Sequence, residues 1–578
     1  MEIKKYDFFE TRFSISAKGN PFDLELNAKV ICPDKTLKTV NGFYDDDDAF
    51  AFCFMPDCEG EYRYEISSPN SELNGKTGSF ICIQNENLNH GKVKVKDRFW
   101  FEYKDGTPYF EAGTTCYAWI YQSEKLQEQT LQTLANGYFN KLRMCVFPKW
   151  YEYNHRQPQI YPFAGDVEEG FDYDRPNVGF FRHLENAIGK LAKLGIEADI
   201  ILFHPYESKD WRFNAMTPEQ DKRYLRYVIA RLSAFHNVWW SLANEYDLLQ
   251  TGYKRKKSAW KKLIRFVHEH DPYGHLTSIH QMTKMYDHRD PYLTHCSIQR
   301  TEMFLTAEYT DAWREKYNKP VVIDECCYEG NLNTWWGGIT AEELVRRFWE
   351  ATARGGYMGH SETFDSQDGN IWWSHGGVLH GKSAERIKFL REIMADCPDI
   401  CFTSESSTNN TARAIAETNA QIVYFGNYQP CRYTLYLPGG GSYRIKIIDT
   451  WNMTIAELPE AMSGKVTVAL PTKPYMAILC LAESPGAPKA FTRDSVFEEM
   501  KFTPGGKKLL KLLKKFYPSF YSGMLQMTVN QCSAQAGDIL DGRAGDGIVR
   551  IVNKNEFWRG LWQLLTGAVF RSRKEEKS

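Results

Sequence analysis

The hydrophobic period of the chain changes along its length. From residue 1 to about 95 apolar and polar positions alternate in twos, as in Phe22-Asp23-Leu24-Glu25-Leu26-Asn27-Ala28-Lys29-Val30. Similar runs at Tyr62–Ile66 and Gly78–Ile83 are set off by Pro, Gly, Asn and Asp, and together they predict a small antiparallel β-sandwich over 1–95. The acidic run Asp45–Asp48 within it lacks the spacing of a calcium loop and is expected to be a solvated turn. From about 96 to 400 buried-strand patterns alternate with amphipathic helices. Thr217-Pro218-Glu219-Gln220 is a capping box with proline at the first helical position, and its helix carries Tyr224, Val228 and Leu232 on one stripe. Thr340-Ala341-Glu342-Glu343 opens another helix in the same way. Strands are expected to end near Thr115, Val146, Phe203, Leu242, Ile279, Ile298, Ile323 and Met358. Eight strand–helix units in about 300 residues match a (β/α)8 barrel, so the predicted fold class is α/β. Near residue 402 the helical period stops. Gln421–Phe425, a Pro438-Gly439-Gly440-Gly441 turn and Tyr443–Ile448 predict a second β-sandwich over 401–483, followed by an extension over 484–578.

Composition excludes some classes of function. Of 578 residues 43% are hydrophobic and 25% charged, and the net charge is −2, so the chain is globular and has no overall basic field for nucleic acid. Aromatic residues reach 15%, an excess that serves large cores and sugar-binding clefts alike. No apolar run has the length of a transmembrane segment, and the start has no apolar leader. The 14 cysteines show no CxxC or zinc spacing. Reduced thiols and a cytoplasmic location are the expectation.

Candidate chemistry sits at strand ends, where barrels of this class place reactive groups. Two glutamates follow apolar strands directly: Trp239-Trp240-Ser241-Leu242-Ala243-Asn244-Glu245 on the fourth, and Pro320-Val321-Val322-Ile323-Asp324-Glu325 on the seventh. A carboxylate behind an apolar strand costs several kcal/mol, roughly, unless pairing or function compensates. Paired carboxylates across a cleft suit glycosidic bond cleavage, one giving a proton to the leaving oxygen, the other attacking or activating water. Asn244 can offer its amide to a sugar 2-hydroxyl.

These residues resemble the acid/base (Glu245) and nucleophile (Glu325) of clan A retaining glycoside hydrolases. The flanking Gly113-Thr114-Thr115, Phe203-His204-Pro205-Tyr206 and Gly355-Gly356-Tyr357-Met358-Gly359-His360 are similar to the apiosidase-like, cellulase-related glycoside hydrolases, over about residues 1–483. The resemblance implies a barrel with flanking β domains, a double-displacement mechanism, an oligosaccharide substrate, and no cofactor or metal. It implies supporting roles for Arg143, bridging to Glu325, and for His204 and His280, binding sugar hydroxyls or orienting Asn244 and Glu245. Structural histidines remain the alternative. Trp372 or Trp373 is expected to form a sugar platform, and Trp150, Tyr151 and Tyr153 either line the cleft or form a surface cluster. Many clan A members carry a tyrosine after the sixth strand. This chain has Cys296-Ser297-Ile298-Gln299-Arg300 there, so Gln299 is the expected substitute. Glu302 and Glu362 are rival carboxylates.

Two other readings stay open: an inactive carbohydrate-binding barrel, and a metal-dependent hydrolase using His204, His280 and His360. The barrel sequence specifies neither sugar nor linkage. From Pro485 onward 16 Lys and Arg face 9 Asp and Glu, a net +7. Leu509, Leu512, Leu513 and Phe516, then Phe557, Trp558, Leu561, Trp562 and Leu565, form apolar stripes. The expectation is docking on the acidic remainder or on another subunit, which makes a homo-oligomer through the extension one outcome, rather than attachment to an anionic membrane surface.

Overall fold

In a computed structural model the described residues are 1–85, 89–249, 255–397, 402–404 and 411–484, so the stripes and turns expected beyond 484 lie outside them. The chain divides into two compact units, with the boundary at Asp399/Ile400.

The first unit opens with two facing sheets. One has five strands in the order Glu2–Lys4, Thr77–Ile83, Gly60–Ser67, Asn27–Ile31, Leu37–Asn41, and the other has Phe9–Ser14, Ala49–Phe54, Phe43–Tyr44. Phe9, Phe52, Phe54, Tyr62 and Phe80 fill the space between them. The alternating run from Phe22 is a strand only in its second half. Pro21–Asp23 forms a 3-10 turn, because Asn20 accepts the Phe22 N–H at 3.3 Å and Pro21 has no N–H to give a ladder. The expected solvated turn at Asp45 is also corrected. Asp45 is buried and meets Arg231 at 2.9 Å, Arg12 at 2.9 Å and Arg182 at 3.2 Å, tying the sandwich to the barrel helices.

The barrel follows. Its strands are β1 (Gly113–Thr115), β2 (Lys141–Cys145), β3 (Glu197–Ile201), β4 (Val238–Ser241), β5 (Thr277–Ser278), β6 (Cys296–Gln299), β7 (Val321–Glu325) and β8 (Tyr357–His360). All adjacent pairs are parallel, in the order β5-β4-β3-β2-β1-β8-β7-β6. Between β5 and β6 the ring is closed by loop contacts: Thr294 N–H donates to the Thr277 carbonyl at 2.9 Å, and Thr277 N–H to Thr294 Oγ1 at 2.8 Å. The helix Pro218–Leu232 starts with the expected reciprocal capping box, and Thr340 caps Ala341–Ala353. A small sheet, Val93–Lys96, Trp100–Tyr103 and Pro108–Tyr109, packs Phe101 against Trp239 and Tyr357 near the start of the barrel strands. That leaves the opposite, carboxyl end open for a site.

Inside the barrel, charge is buried in compensated form. Lys141 meets Glu111 and Asp324 at 2.9 Å each, and Arg143 meets Asp199 at 2.8 Å and Asp324 at 3.7 Å. Opposing charges this close offset a desolvation cost that neither could bear alone. They hold the Asp324 carboxyl well below the usual carboxylate range against the effect of burial.

The second unit holds a six-stranded antiparallel sheet, in the order Thr403–Ser404, Ala412–Ala416, Ala420–Tyr424, Met476–Ser484, Ser442–Asp449, Thr454–Glu457, facing the pair Arg432–Tyr436 and Lys465–Ala469. Leu435, Tyr443, Ile445, Val468 and Ile478 form its core. No two of the twelve cysteines among the described residues are joined in a disulfide. No helix among them is long and apolar enough to cross a membrane.

Candidate active site

At the carboxyl end of the strands, a cavity of about 250 Å³ is lined by Glu245 and Glu325 together with Tyr117, Lys149, Tyr206 and Trp373. The sequence places both glutamates just past apolar strands, and the parallel barrel turns those ends toward one mouth. Glu245 is 4% exposed and Glu325 7%.

The backbone at Glu245 is unusual. Its φ is +49°, a left-handed conformation that side chains other than glycine seldom adopt. Neighbouring strand ends hold it there. Asn244 N–H donates to the Phe203 carbonyl at 2.9 Å, Tyr246 N–H to the His280 carbonyl at 2.9 Å, and Glu245 N–H to His280 Nδ1 at 3.4 Å. Strain of this kind persists only where the surroundings over-determine it.

Each carboxylate accepts from a tyrosine hydroxyl: Glu245 from Tyr206, and Glu325 from Tyr117. The Tyr117 hydroxyl also reaches Asn244 Oδ1 at 3.4 Å, as does Arg143 Nη2 at 3.4 Å. Burial and then the neighbouring Glu325 charge push the Glu245 carboxyl up to about 7, against Tyr206, Lys149 and Gln299. Burial raises Glu325 too, but four influences oppose it: the Tyr117 hydrogen bond, the charges of Lys149 and Arg143, and Tyr328. The two identical side chains therefore sit in different environments: a like charge adds to burial at Glu245, whereas hydrogen bonds and cations oppose burial at Glu325.

The expected supporting residues divide. His280 lies between the glutamates, with Nδ1 on the Glu245 N–H and Nε2 3.9 Å from Glu325 Oε1. His204 makes no contact with the cavity. Its Nε2 meets the Phe147 carbonyl at 3.0 Å and its Nδ1 accepts the Tyr206 N–H at 3.1 Å, so it shapes the turn that presents Tyr206. Arg143 does not bridge to Glu325, because Asp199 and Asn244 take its guanidinium; it acts on Glu325 through space. Gln299 lines the cavity on the Glu245 side, and the tyrosine on Glu325 comes from the β1 loop instead. Of the two tryptophans, Trp372 is core, its Nε1 donating to Thr114 Oγ1 at 2.8 Å. Trp373 lines the cavity, edge-on to Tyr151 with centroids 4.8 Å apart. Tyr151 joins it there, while Trp150 packs on Trp211 and Tyr153 is absent from the lining.

Glu302 is exposed, 3.3 Å from Arg300 and away from the cavity. Glu362 is buried beneath the His380 and Gly381 N–H groups at 2.8 and 3.0 Å, and burial pushes it up to about 8. His360 pairs through Nδ1 with Thr114 Oγ1 at 2.9 Å. Among the described residues no three His, Cys, Asp or Glu side chains are grouped to hold a metal.

Residues 95–397 match the family described as apiosidase-like, catalytic domain. The chain belongs to the apiosidase-like family. Residues 2–69 and 410–480 of this apiosidase-like protein match two domains of unknown function, DUF5060 and DUF5605. A solved structure from Bacteroides vulgatus, called a putative glycoside hydrolase, is 36% identical, covers 83% of this chain and 99% of its own, and superposes with a TM-score of 0.78. A glycoside hydrolase family 5 structure from the same organism, 15% identical over 68% of this chain and 94% of its own at a TM-score of 0.52, shares the fold. No curated protein matches the chain. The apiosidase-like protein is a glycoside hydrolase built on a (β/α)8 barrel.

Proposed function

We propose that this apiosidase-like glycoside hydrolase cleaves oligosaccharides with retention of configuration, Glu325 acting as nucleophile and Glu245 as acid and then base. The observation that carries the reading is the division of the two carboxyls within one cavity. A carboxyl near 7 is protonated in about half of the molecules at neutral pH and can deliver that proton to a leaving oxygen. At Glu325, Tyr117, Lys149 and Arg143 oppose the rise that burial imposes and so favour the carboxylate that attacks the anomeric carbon. In the first step the Glu325 oxygen bonds to that carbon, the glycosidic C–O bond breaks, and the Glu245 proton goes to the departing oxygen. In the second, Glu245 takes a proton from water as its oxygen displaces Glu325. Asn244 Oδ1 is engaged by Tyr117 and Arg143, which leaves its Nδ2 for the sugar 2-hydroxyl.

The test uses aryl glycosides of pentoses, apiose among them, and of hexoses. Glu325→Gln should abolish turnover of every substrate. Glu245→Ala should still form the intermediate from good leaving groups, and azide should rescue it as a glycosyl azide. Proton NMR should show the first product anomer retained, the outcome for enzymes that hold the two carboxyl groups about 5–5.5 Å apart. An inverted first product, or full activity in either variant, overturns the assignment.

A further inference from the structure

Lys149 follows β2 by four residues and is 2% exposed. Its Nζ lies 3.5 Å from the Tyr117 ring centroid, 4.5 Å from those of Tyr151 and Tyr206, and 5.7 Å from that of Trp373. All four rings line the cavity that holds Glu245 and Glu325. Aromatic faces attract a cation but do not accept its protons as an oxygen would. Lys141, in the same barrel, shows the structural solution for a buried ammonium: carboxylates at 2.9 Å on two sides. Lys149 has no carboxylate at ion-pair distance and no hydrogen-bond acceptor for its ammonium among the described residues. Trp373 repeats the pattern, its Nε1–H being buried and without a partner among the described residues. Two unpaired donors therefore share one wall, while the carboxylates of the cavity are occupied by Tyr117 and Tyr206.

We propose that Lys149 is a glycone-binding residue, its ammonium donating to a hydroxyl oxygen of the neutral sugar seated between Glu245 and Glu325, with Trp373 Nε1–H as the second donor. The proposal rests on the glycosidase reading of this cavity. A neutral glycone is specified because the cavity already holds two carboxyl groups, and a third would be repelled by Glu325. An amino sugar carrying an ammonium would in turn be repelled by Lys149. The same charge acts on both glutamates, lowering their affinity for protons.

Lys149→Met and Lys149→Arg in the full chain test this on dinitrophenyl glycosides of neutral sugars and of uronic acids. Binding of the free sugars is followed by tryptophan fluorescence. Lys149→Met should lose about tenfold or more in kcat/KM on the neutral glycoside, because a charge-assisted hydrogen bond goes unmade. It should weaken sugar binding in parallel and move both limbs of the pH profile upward. Its Tm should hold or rise, since an unpaired buried cation has been removed, and Lys149→Arg should recover part of the loss. Cleavage with Lys149→Met within about twofold of wild type, a loss that merely follows a falling Tm, or a preference for uronides overturns the proposal and leaves the glycosidase reading standing. Sugar binding that depends on Lys149 without turnover of any glycoside overturns the glycosidase reading instead. If the wild type neither binds nor cleaves any sugar, both fall.

Discussion

Replacing Tyr117 by Phe removes one oxygen and leaves the ring, with Lys149 over it and Trp373 edge-on to it, in place. The hydroxyl donates to Glu325 from a position 1% exposed, so solvent cannot take over the bond. A hydrogen bond to a charged group contributes about 1.5–3 kcal/mol. One pKa unit corresponds to about 1.36 kcal/mol of difference between protonation states. Losing the bond should therefore raise the Glu325 carboxyl by about one to two units, in the direction that burial already pushes it. A raised carboxyl is protonated over a wider acidic range, and a protonated nucleophile does not attack. The acid limb of kcat/KM should move upward by that amount, while the alkaline limb, set by Glu245 near 7, stays. The assay is kcat/KM on an activated aryl glycoside between about pH 4 and 9, with a thermal melt to confirm the fold. Tyr206→Phe is the control, since it removes the donor to Glu245 and should move the alkaline limb upward instead. An acid limb that stays put while activity falls would show that Tyr117 does not act through the ionisation of Glu325.

Further outcomes follow from the same packing. Asp324→Asn strips one counter-charge from Lys141 and Arg143 and should cost about 3–5 kcal/mol in urea unfolding; a loss below about 1 kcal/mol would show that the remaining acids suffice. Trp372→Phe breaks the bond to Thr114 and should cost about 1–3 kcal/mol with KM unchanged. Trp373→Phe loses an N–H that has no protein partner among the described residues and should raise KM with little change in Tm; equal effects from both would erase the distinction between platform and core. Burial pushes Glu197, Glu207 and Glu362 each up to about 8. Their folded values exceed the unfolded ones, so the folded state binds protons more tightly and stability is lost as pH rises toward 8. Tm should fall from about pH 5 to 9, and Glu197→Gln should flatten that slope; a Tm that rises with pH would contradict these environments.

Some of this protein could be read locally. Period-two and period-3.6 patterns report which face of a strand or helix is buried, and each element carries its own record of that. The eight barrel strands, the capped helices at Thr217 and Thr340, and the placement of Glu245 and Glu325 just past apolar runs are all properties of ten or fewer consecutive residues. The rest depends on which loops meet. Tyr117, Lys149 and Tyr206 follow three successive strands and converge on the two glutamates only because the barrel brings β1, β2 and β3 to one rim. The aromatic excess and the strand-end positions of Tyr117 and Tyr206 were the available signals, but neither names a partner. The family resemblance implies a bridge from Arg143 to Glu325, but Asp199, buried on the adjacent strand β3, takes its guanidinium. Trp372 and Trp373 are neighbours in one short helix, Trp372–His375. Successive helical residues point about 100° apart, so one ring meets Thr114 and the other the cavity. Burial pattern is written along the chain, whereas the partner of a buried polar group is chosen by residues distant in sequence, and the chemistry of this site is made of such partners.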